Sequence, residues 1–253
     1  AVFAALVYFG FAGEQDADQN VVPTFFWVFV WTVIPFLSAV FGDMFRPFNP
    51  WRAVARGFAA VRAGRNHRGT PARFAYPEGL GRWPAAVLLL FIGWLELVAG
   101  ESGRDPSVMA TVAVVYAAIQ LFGMSLFGVE RWEDRGDGLG VYFNFFARMA
   151  PVTVQNGRVA TRMPLSGLTD IPQMAGTVAF VAAMIGITVF DGAERGGLWA
   201  AIAGDDPSEF VATLGLLGAV LVVAGFYLLG VEQAWCRHRG TPRVQAVDRA
   251  AEL

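Results

Sequence analysis

The chain has 253 residues, of which 55% are apolar and only 16% are charged, and its mean hydropathy is +0.48. A soluble domain carries about 25% charged residues, so this composition indicates a membrane protein. The net charge of −2 excludes the strongly basic field with which many proteins attract nucleic acid. Cys236 is the single cysteine, so an intrachain disulfide is excluded, and with only two histidines the chain has little material for a metal site.

Apolar stretches recur along the chain. Residues 1–12 reach only about 18 Å as a helix, so we expect them to be the outer end of a span whose start is missing. Residues 22–41 are long enough to cross a bilayer, with Trp27 and Trp31 in the first half, as in an aromatic belt. Pro35 should kink this helix. Further full spans are predicted at residues 83–99, 108–127, 173–190 and 209–230.

An arginine-rich loop, residues 42–84, separates the first two full spans. Asn49 and Pro50 are suited to begin a helix, because asparagine accepts from free N–H groups and proline fits the first helical position. An amphipathic helix on the inner membrane surface is predicted to follow, broken by residues 64–71. Its apolar face consists of Trp51, Val54, Phe58 and Val61.

Arg46, Arg52 and Arg56 in this loop are candidates for contacting a lipid headgroup or another anion, because arginine forks match phosphate geometry. The alternative is that these arginines set the membrane topology and that Arg46 forms a local ion pair with Asp43. The sequence leaves both interpretations open.

The next loop, residues 128–172, carries an acidic run that we interpret as solvated, because its spacing fits no calcium-binding loop. The aromatic stretch 141–149 is too short to span and is predicted to lie at the membrane interface. Asn156-Gly157 between β-prone runs predicts a small hairpin. The acidic run consists of Glu130, Glu133, Asp134 and Asp137.

The arginines indicate which side of the membrane each loop occupies. Loops 42–84 and 128–172 and the tail after residue 231 hold 8, 5 and 4 arginines, which is 17 of the 19 in the chain. Arginine is kept on the cytoplasmic side of membranes, and alternation along five full spans assigns the same sides. These three segments are therefore predicted to be cytoplasmic.

Two carboxylates are candidates for a ligand or proton site. Glu96 lies inside the predicted span 83–99, and an ionisable group within a membrane helix is functional by default. Asp191 ends the span 173–190 at the same outer depth. If both faced one cavity they would form a cation or acid–base site; otherwise Glu96 reaches water or a neighbouring helix, and Asp191 is solvated at its helix end.

Several side chains are predicted to join helices. Ala182 with Gly186, and Gly215 with Ala219, are small residues spaced four apart, which lets helix backbones approach closely. Polar side chains within a span also bond to neighbouring helices. Gln120 and Ser125 are expected to do so.

Three segments together carry a resemblance: FWVFVWTVIPFLSAVFGDMFRPFNPWRA, YPEGLGRWPAAVLLLFIGWLELV and MPLSGLTDIPQMAGTVAFVAAMIGITVFDG. Over residues 22–230 the chain resembles the polytopic membrane proteins of actinobacteria and haloarchaea that are labelled fenitrothion hydrolase. The resemblance implies a membrane-associated organophosphate hydrolase. It also implies that this chain is a central fragment, followed in the full protein by further membrane helices that contain histidines.

The expected fold is an all-α integral membrane protein, a polytopic helical bundle with interfacial amphipathic helices and a small cytoplasmic β-hairpin. It is expected to form one transmembrane domain over residues 1–253, in the plasma membrane of a prokaryote. The lipid bilayer and other membrane subunits are the expected partners, and nucleic acid is not. Three functions stay open: a transporter-like protein or membrane subunit of a larger complex, a membrane-embedded phosphotriester hydrolase, and a redox or cofactor-binding subunit. No catalytic residue and no cofactor is assigned.

Overall fold

A computed structural model of the chain describes residues 1–63, 72–155, 158–204 and 206–239. It divides into an N-terminal unit, Ala1–Phe180, and a C-terminal unit, Val181–Leu253. Each unit is described by itself.

The chain is mainly helical. Its helices are α1 (Val2–Ala12), α2 (Val21–Thr24), α3 (Ile34–Phe41), α4 (Pro50–Ala63), α5 (Trp83–Leu97), α6 (Pro106–Phe127), α7 (Val129–Arg135), α8 (Gly138–Ala147), α9 (Thr177–Glu194), α10 (Gly197–Ala203) and α11 (Glu209–Arg239). Two short strands, β1 (Val152–Gln155) and β2 (Arg158–Thr161), form the only sheet among the described residues.

Among the described residues, four helices are long and apolar enough to cross a membrane, which indicates a membrane protein. They are Val21–Phe41, Pro106–Phe127, Thr177–Glu194 and Glu209–Gly230. Helix α5 is not among them, because it ends at Leu97 after 15 residues. At 1.5 Å per residue it reaches about 22 Å, and the predicted crossing at residues 83–99, on which the alternation of the loops depends, stays a prediction.

The first of these helices is not uniform. Its middle, Phe25–Val33, is π-helical, and the N–H of Ile34 donates to the carbonyl of Phe29, five residues earlier. The irregular part lies directly before Pro35, where the sequence predicts a kink. Proline has no N–H and its ring clashes with the carbonyl four residues back, so wider turns on its N-terminal side relieve that clash.

Helix α8 lies inside the N-terminal unit. It packs against α3 and α5, and Val141, Phe143 and Phe145 on it are at most 4% exposed. The residues between these three are only partly buried. Protein therefore covers much of α8, and the interfacial position of residues 141–149 stays a prediction.

Helix α4 confirms the predicted start, since the side-chain oxygen of Asn49 accepts from the N–H of Arg52 at 3.1 Å. Its apolar residues do not share one environment. Trp51 is 6% exposed and packs in the core, whereas Phe58 and Val61 are 73% and 87% exposed. The exposed part of the helix fits the predicted interfacial face, and the predicted break at residues 64–71 lies outside the described residues.

The predicted hairpin is confirmed: β1 and β2 pair antiparallel, with Gln155 opposite Arg158. The turn residues Asn156 and Gly157 lie outside the described part of the chain.

In the C-terminal unit, small residues bring helices together as expected. A Cβ on Gly186 would lie 2.7 Å from the Cα of Val220, so α9 and α11 nearly touch there. A Cβ on Gly215 would lie 2.3 Å from the ring of Trp199. These contacts need glycine because no side chain fits between them.

Candidate functional site

The carboxylate of Asp137, which lies between α7 and α8, is fully buried in the N-terminal unit. Its Oδ2 accepts from Trp51 Nε1 at 2.7 Å and from Asn49 Nδ2 at 3.2 Å. Its Oδ1 accepts from the hydroxyl of Tyr116 at 2.6 Å. We call Asp137, Asn49, Trp51 and Tyr116 the Asp137 network.

The Asp137 network joins three parts of the chain that are distant in sequence. Asn49 and Trp51 lie at the start of α4, Tyr116 is in the middle of α6, and Asp137 directly precedes α8. The hydroxyl of Tyr116 also accepts from the N–H of Leu139 at 2.9 Å, which holds the first turn of α8. The network therefore holds the first turns of α4 and α8 against α6.

Burial raises the pKa of Asp137 above its ordinary value, because the charged form loses its hydration. The hydrogen bonds from Tyr116 and Trp51 oppose this rise, since they favour the carboxylate. Asp137 accepts in all three side-chain contacts, which is the role of an ionised carboxylate.

A second set of charges lies beside this network. Glu133 on α7 is 4% exposed, and its Oε2 contacts Nη1 of Arg52 and, at 3.3 Å, Nε of Arg46. Burial raises the pKa of Glu133, and the hydrogen bond from Arg52 opposes the rise. Such a pair costs desolvation energy, so its main effect is to fix α4 against α7.

Further out, Nη2 of Arg56 contacts Oε1 of Glu130 at 2.8 Å, with both side chains about half exposed. The hydrogen bond from Arg56 lowers the pKa of Glu130. Arg46 also lies 3.8 Å from Asp134. The three arginines singled out in the sequence are thus together on one surface, each facing a carboxylate of α7.

These arginines line a cavity of about 330 Å³, which we call the arginine pocket. Its wall consists of Asp43, Arg46, Pro47, Asn49, Arg52, Ala53 and Arg56. The backbone N–H of Arg46 donates to Asp43 at 3.0 Å. The side chain of Arg46 instead contacts Glu133, so its predicted ion pair with Asp43 is replaced by a contact with a distant helix.

The prediction that the acidic run is a solvated loop is wrong. Glu130, Glu133 and Asp134 lie on helix α7, and Glu133 and Asp137 are buried. A helical signal was present, since Val129, Trp132 and Glu133 are spaced three and four apart and share a face. What the sequence could not give is the pairing of Glu133 with Arg52 and of Asp137 with Asn49 and Trp51, partners that lie more than 80 residues away.

Glu96 lies in α5, as predicted, and is partly buried. The nearby Tyr142 of α8 stacks its ring on Trp31, at 5.1 Å between centroids. Glu96 therefore lies near α8 of the same unit.

Asp191 has a local partner. Its Oδ1 accepts from Nε and Nη2 of Arg195 at 3.0 and 2.8 Å. Helix α9 continues to Glu194, so Asp191 lies in its last turns and not at its end. The ion pair gives Asp191 a sufficient structural role at a helix terminus.

The polar residues of α6 behave differently from one another. Gln120 is fully buried and its Oε1 accepts from Trp132 Nε1 at 2.7 Å, which confirms the expected bond to another helix. Ser125 donates to the carbonyl of Phe122 in its own helix, so that expectation is wrong.

Within the described residues, no group of three or more histidine, cysteine, aspartate or glutamate side chains is placed to hold a metal ion. His67 lies outside the described part of the chain. No cofactor site is assigned.

Comparison of the chain with family models, with curated proteins and with solved structures gave no match. The resemblance to the proteins labelled fenitrothion hydrolase stays an expectation from the quoted segments. The function of the chain therefore has to be inferred from the positions and charges of its own residues.

Proposed function

We propose that this chain is a polytopic protein of a prokaryotic plasma membrane that acts as a transporter-like protein or as a membrane subunit of a larger complex. The observation that carries the proposal is Glu96, an ionisable and partly buried group inside the apolar helix α5. Carboxylates at such positions are costly to bury and usually relay protons, bind polar solutes or join subunits.

The exposed surfaces of the long helices support a membrane role. In each of the helices Val21–Phe41 and Glu209–Gly230, only 11% of the apolar 18-residue stretch is buried. Phe36, Phe210 and Phe226 are more than 70% exposed. Apolar surface of this extent needs cover from lipid or from another membrane protein.

The arginine distribution supports a cytoplasmic position for loops 42–84 and 128–172 and for the tail. The single native cysteine makes this testable. In a Cys236→Ser background, Glu78→Cys, which is exposed in the loop 42–84, should react with an impermeant maleimide only from the cytoplasmic side, and Glu101→Cys only from the outside. Labelling of both from the same side would overturn the proposed topology.

The role of Glu96 is tested by Glu96→Gln, which removes the charge and keeps the shape. We expect reduced solute or proton flux in proteoliposomes, or a smaller complex after extraction in mild detergent. Glu101→Gln is the matched control, because Glu101 lies exposed in the turn after α5. Unchanged flux together with unchanged complex size would remove Glu96 from the function.

The other two functions are decided with the same purified protein. Phosphotriester hydrolysis that copurifies with the chain and disappears with it would favour the hydrolase that the resemblance implies. A visible absorption band from a haem, pigment or copper centre would favour the redox subunit. The proposed function predicts neither signal.

A further inference from the structure

The arginine pocket carries more positive than negative charge on its wall. Arg46, Arg52 and Arg56 contribute three guanidinium groups, and Asp43 is the single carboxylate among the lining residues. A cavity of about 330 Å³ is large enough to hold a small polar group.

The carboxylates behind the wall do not use up these guanidinium groups. Arg46 and Arg52 contact the same oxygen, Oε2 of Glu133, and Arg56 contacts Glu130 through Nη2 alone. Each guanidinium has five N–H donors in a planar fork. Arg46 has a second, longer contact of 3.8 Å with Asp134. Even with this contact counted, N–H donors remain for an anion in the pocket.

The same contacts hold the arginines in place before any ligand arrives. Arg52 is only 13% exposed in its side chain, and the Asn49 side chain fixes the first turn of α4. This 14-residue helix points its N-terminus at the pocket, where Asn49, Arg52 and Ala53 line the wall. A helix N-terminus attracts anions, and preorganised donors bind them with less loss of entropy.

Exposed apolar side chains flank the pocket. Phe48 lies between two lining residues and is 77% exposed. Phe58 is 73% exposed and, two residues after Arg56, lies on the other side of α4. Large aromatic side chains beside arginines on an amphipathic helix are typical of a segment at the boundary of headgroups and acyl chains. A free anion in water would not need them.

We propose that the arginine pocket binds the phosphate group of an anionic lipid headgroup, with Phe48 entering the acyl boundary beside it. The inference rests on the membrane placement in the proposed function and is independent of Glu96. A guanidinium group donates two parallel N–H bonds to two oxygens of one phosphate. This geometry distinguishes the site from general attraction to a charged surface.

The test uses the purified chain in a neutral detergent, titrated with phosphatidylglycerol or with phosphatidylcholine of the same acyl chains, and bound lipid counted by native mass spectrometry. Inorganic phosphate is added as the competitor. The variant is Arg46→Gln with Arg56→Gln, which spares the buried Arg52. Arg195→Gln is the matched control, because Arg195 is an ion-paired arginine that is 79% exposed.

We expect phosphatidylglycerol to bind more tightly than phosphatidylcholine, and each arginine removed to weaken it about fivefold. Arg195→Gln should bind like the unmodified chain. Equal binding of both lipids, or a double variant that binds as well as the control, would overturn the inference. Saturation by inorganic phosphate with no preference for phosphatidylglycerol would also overturn it, because the site would then bind the free ion.

If the double variant fails to fold, Arg56→Gln alone keeps the test open, since this side chain is 52% exposed. Failure of the lipid preference leaves flux and complex size unchanged, so it is distinguishable from failure of the proposed function.

Discussion

The Asp137 network makes a quantitative prediction through Asp137→Asn, a change that keeps the shape of the side chain. Two donors meet Oδ2 and one meets Oδ1. An asparagine replaces one oxygen with an NH₂ group, so at least one buried donor loses its acceptor in either orientation of the amide. Each buried donor left without a partner costs about 1–3 kcal/mol.

For a chain of this size that cost corresponds to a melting temperature lower by about 2–12 °C. The measurement is thermal unfolding in detergent followed by tryptophan fluorescence, for which the chain offers 8 tryptophans. Asp18→Asn is the matched control, because Asp18 is exposed and a surface change stays within about 0.5 kcal/mol.

A melting temperature for Asp137→Asn equal to that of the control would refute the reasoning. Asparagine is a close substitute for a protonated aspartic acid, which also carries a donor. The equal result would mean that Asp137 holds its proton in the folded state and that one of the three contacts runs in the opposite direction.

Two further predictions concern other parts of the chain. Gly186→Ala should lower the melting temperature by several degrees, because the added Cβ would lie 2.7 Å from the backbone of Val220. The control Gly192→Ala, which has open space around it, should leave the melting temperature unchanged or raise it. An equal loss in both variants would contradict the close helix contact. Because burial raises the pKa of Glu133, its stabilising contribution is complete below about pH 4.3 and is lost as pH rises through the folded-state pKa. The melting temperature should therefore fall over that range and fall less in Glu133→Gln, and identical pH profiles would count against the raised pKa.

The elements that sequence reasoning placed well are those whose signal is local. The span 22–41, the cap at Asn49, the hairpin and the close approach at Gly186 each depend on neighbours in the chain or on side-chain volume. The length of an apolar stretch, the presence of turn-forming residues and the position of a glycine can all be read directly from the sequence.

The acidic run shows where this reasoning stops. Glu133 and Asp137 stand among charged residues, so a local reading makes them solvated. Their burial depends on Arg52, Asn49 and Trp51, which reach them only after α4 has folded back against α6 and α7. A buried charge can be recognised only when its partners are known.

By itself, the sequence determined that the chain is apolar enough for a membrane and where its long helices run, because hydropathy and length are sums over neighbouring residues. Only the tertiary structure decided that three arginines line one pocket and that a carboxylate from a charged segment lies at the centre of a buried network. Both depend on contacts between distant residues, which no local pattern records.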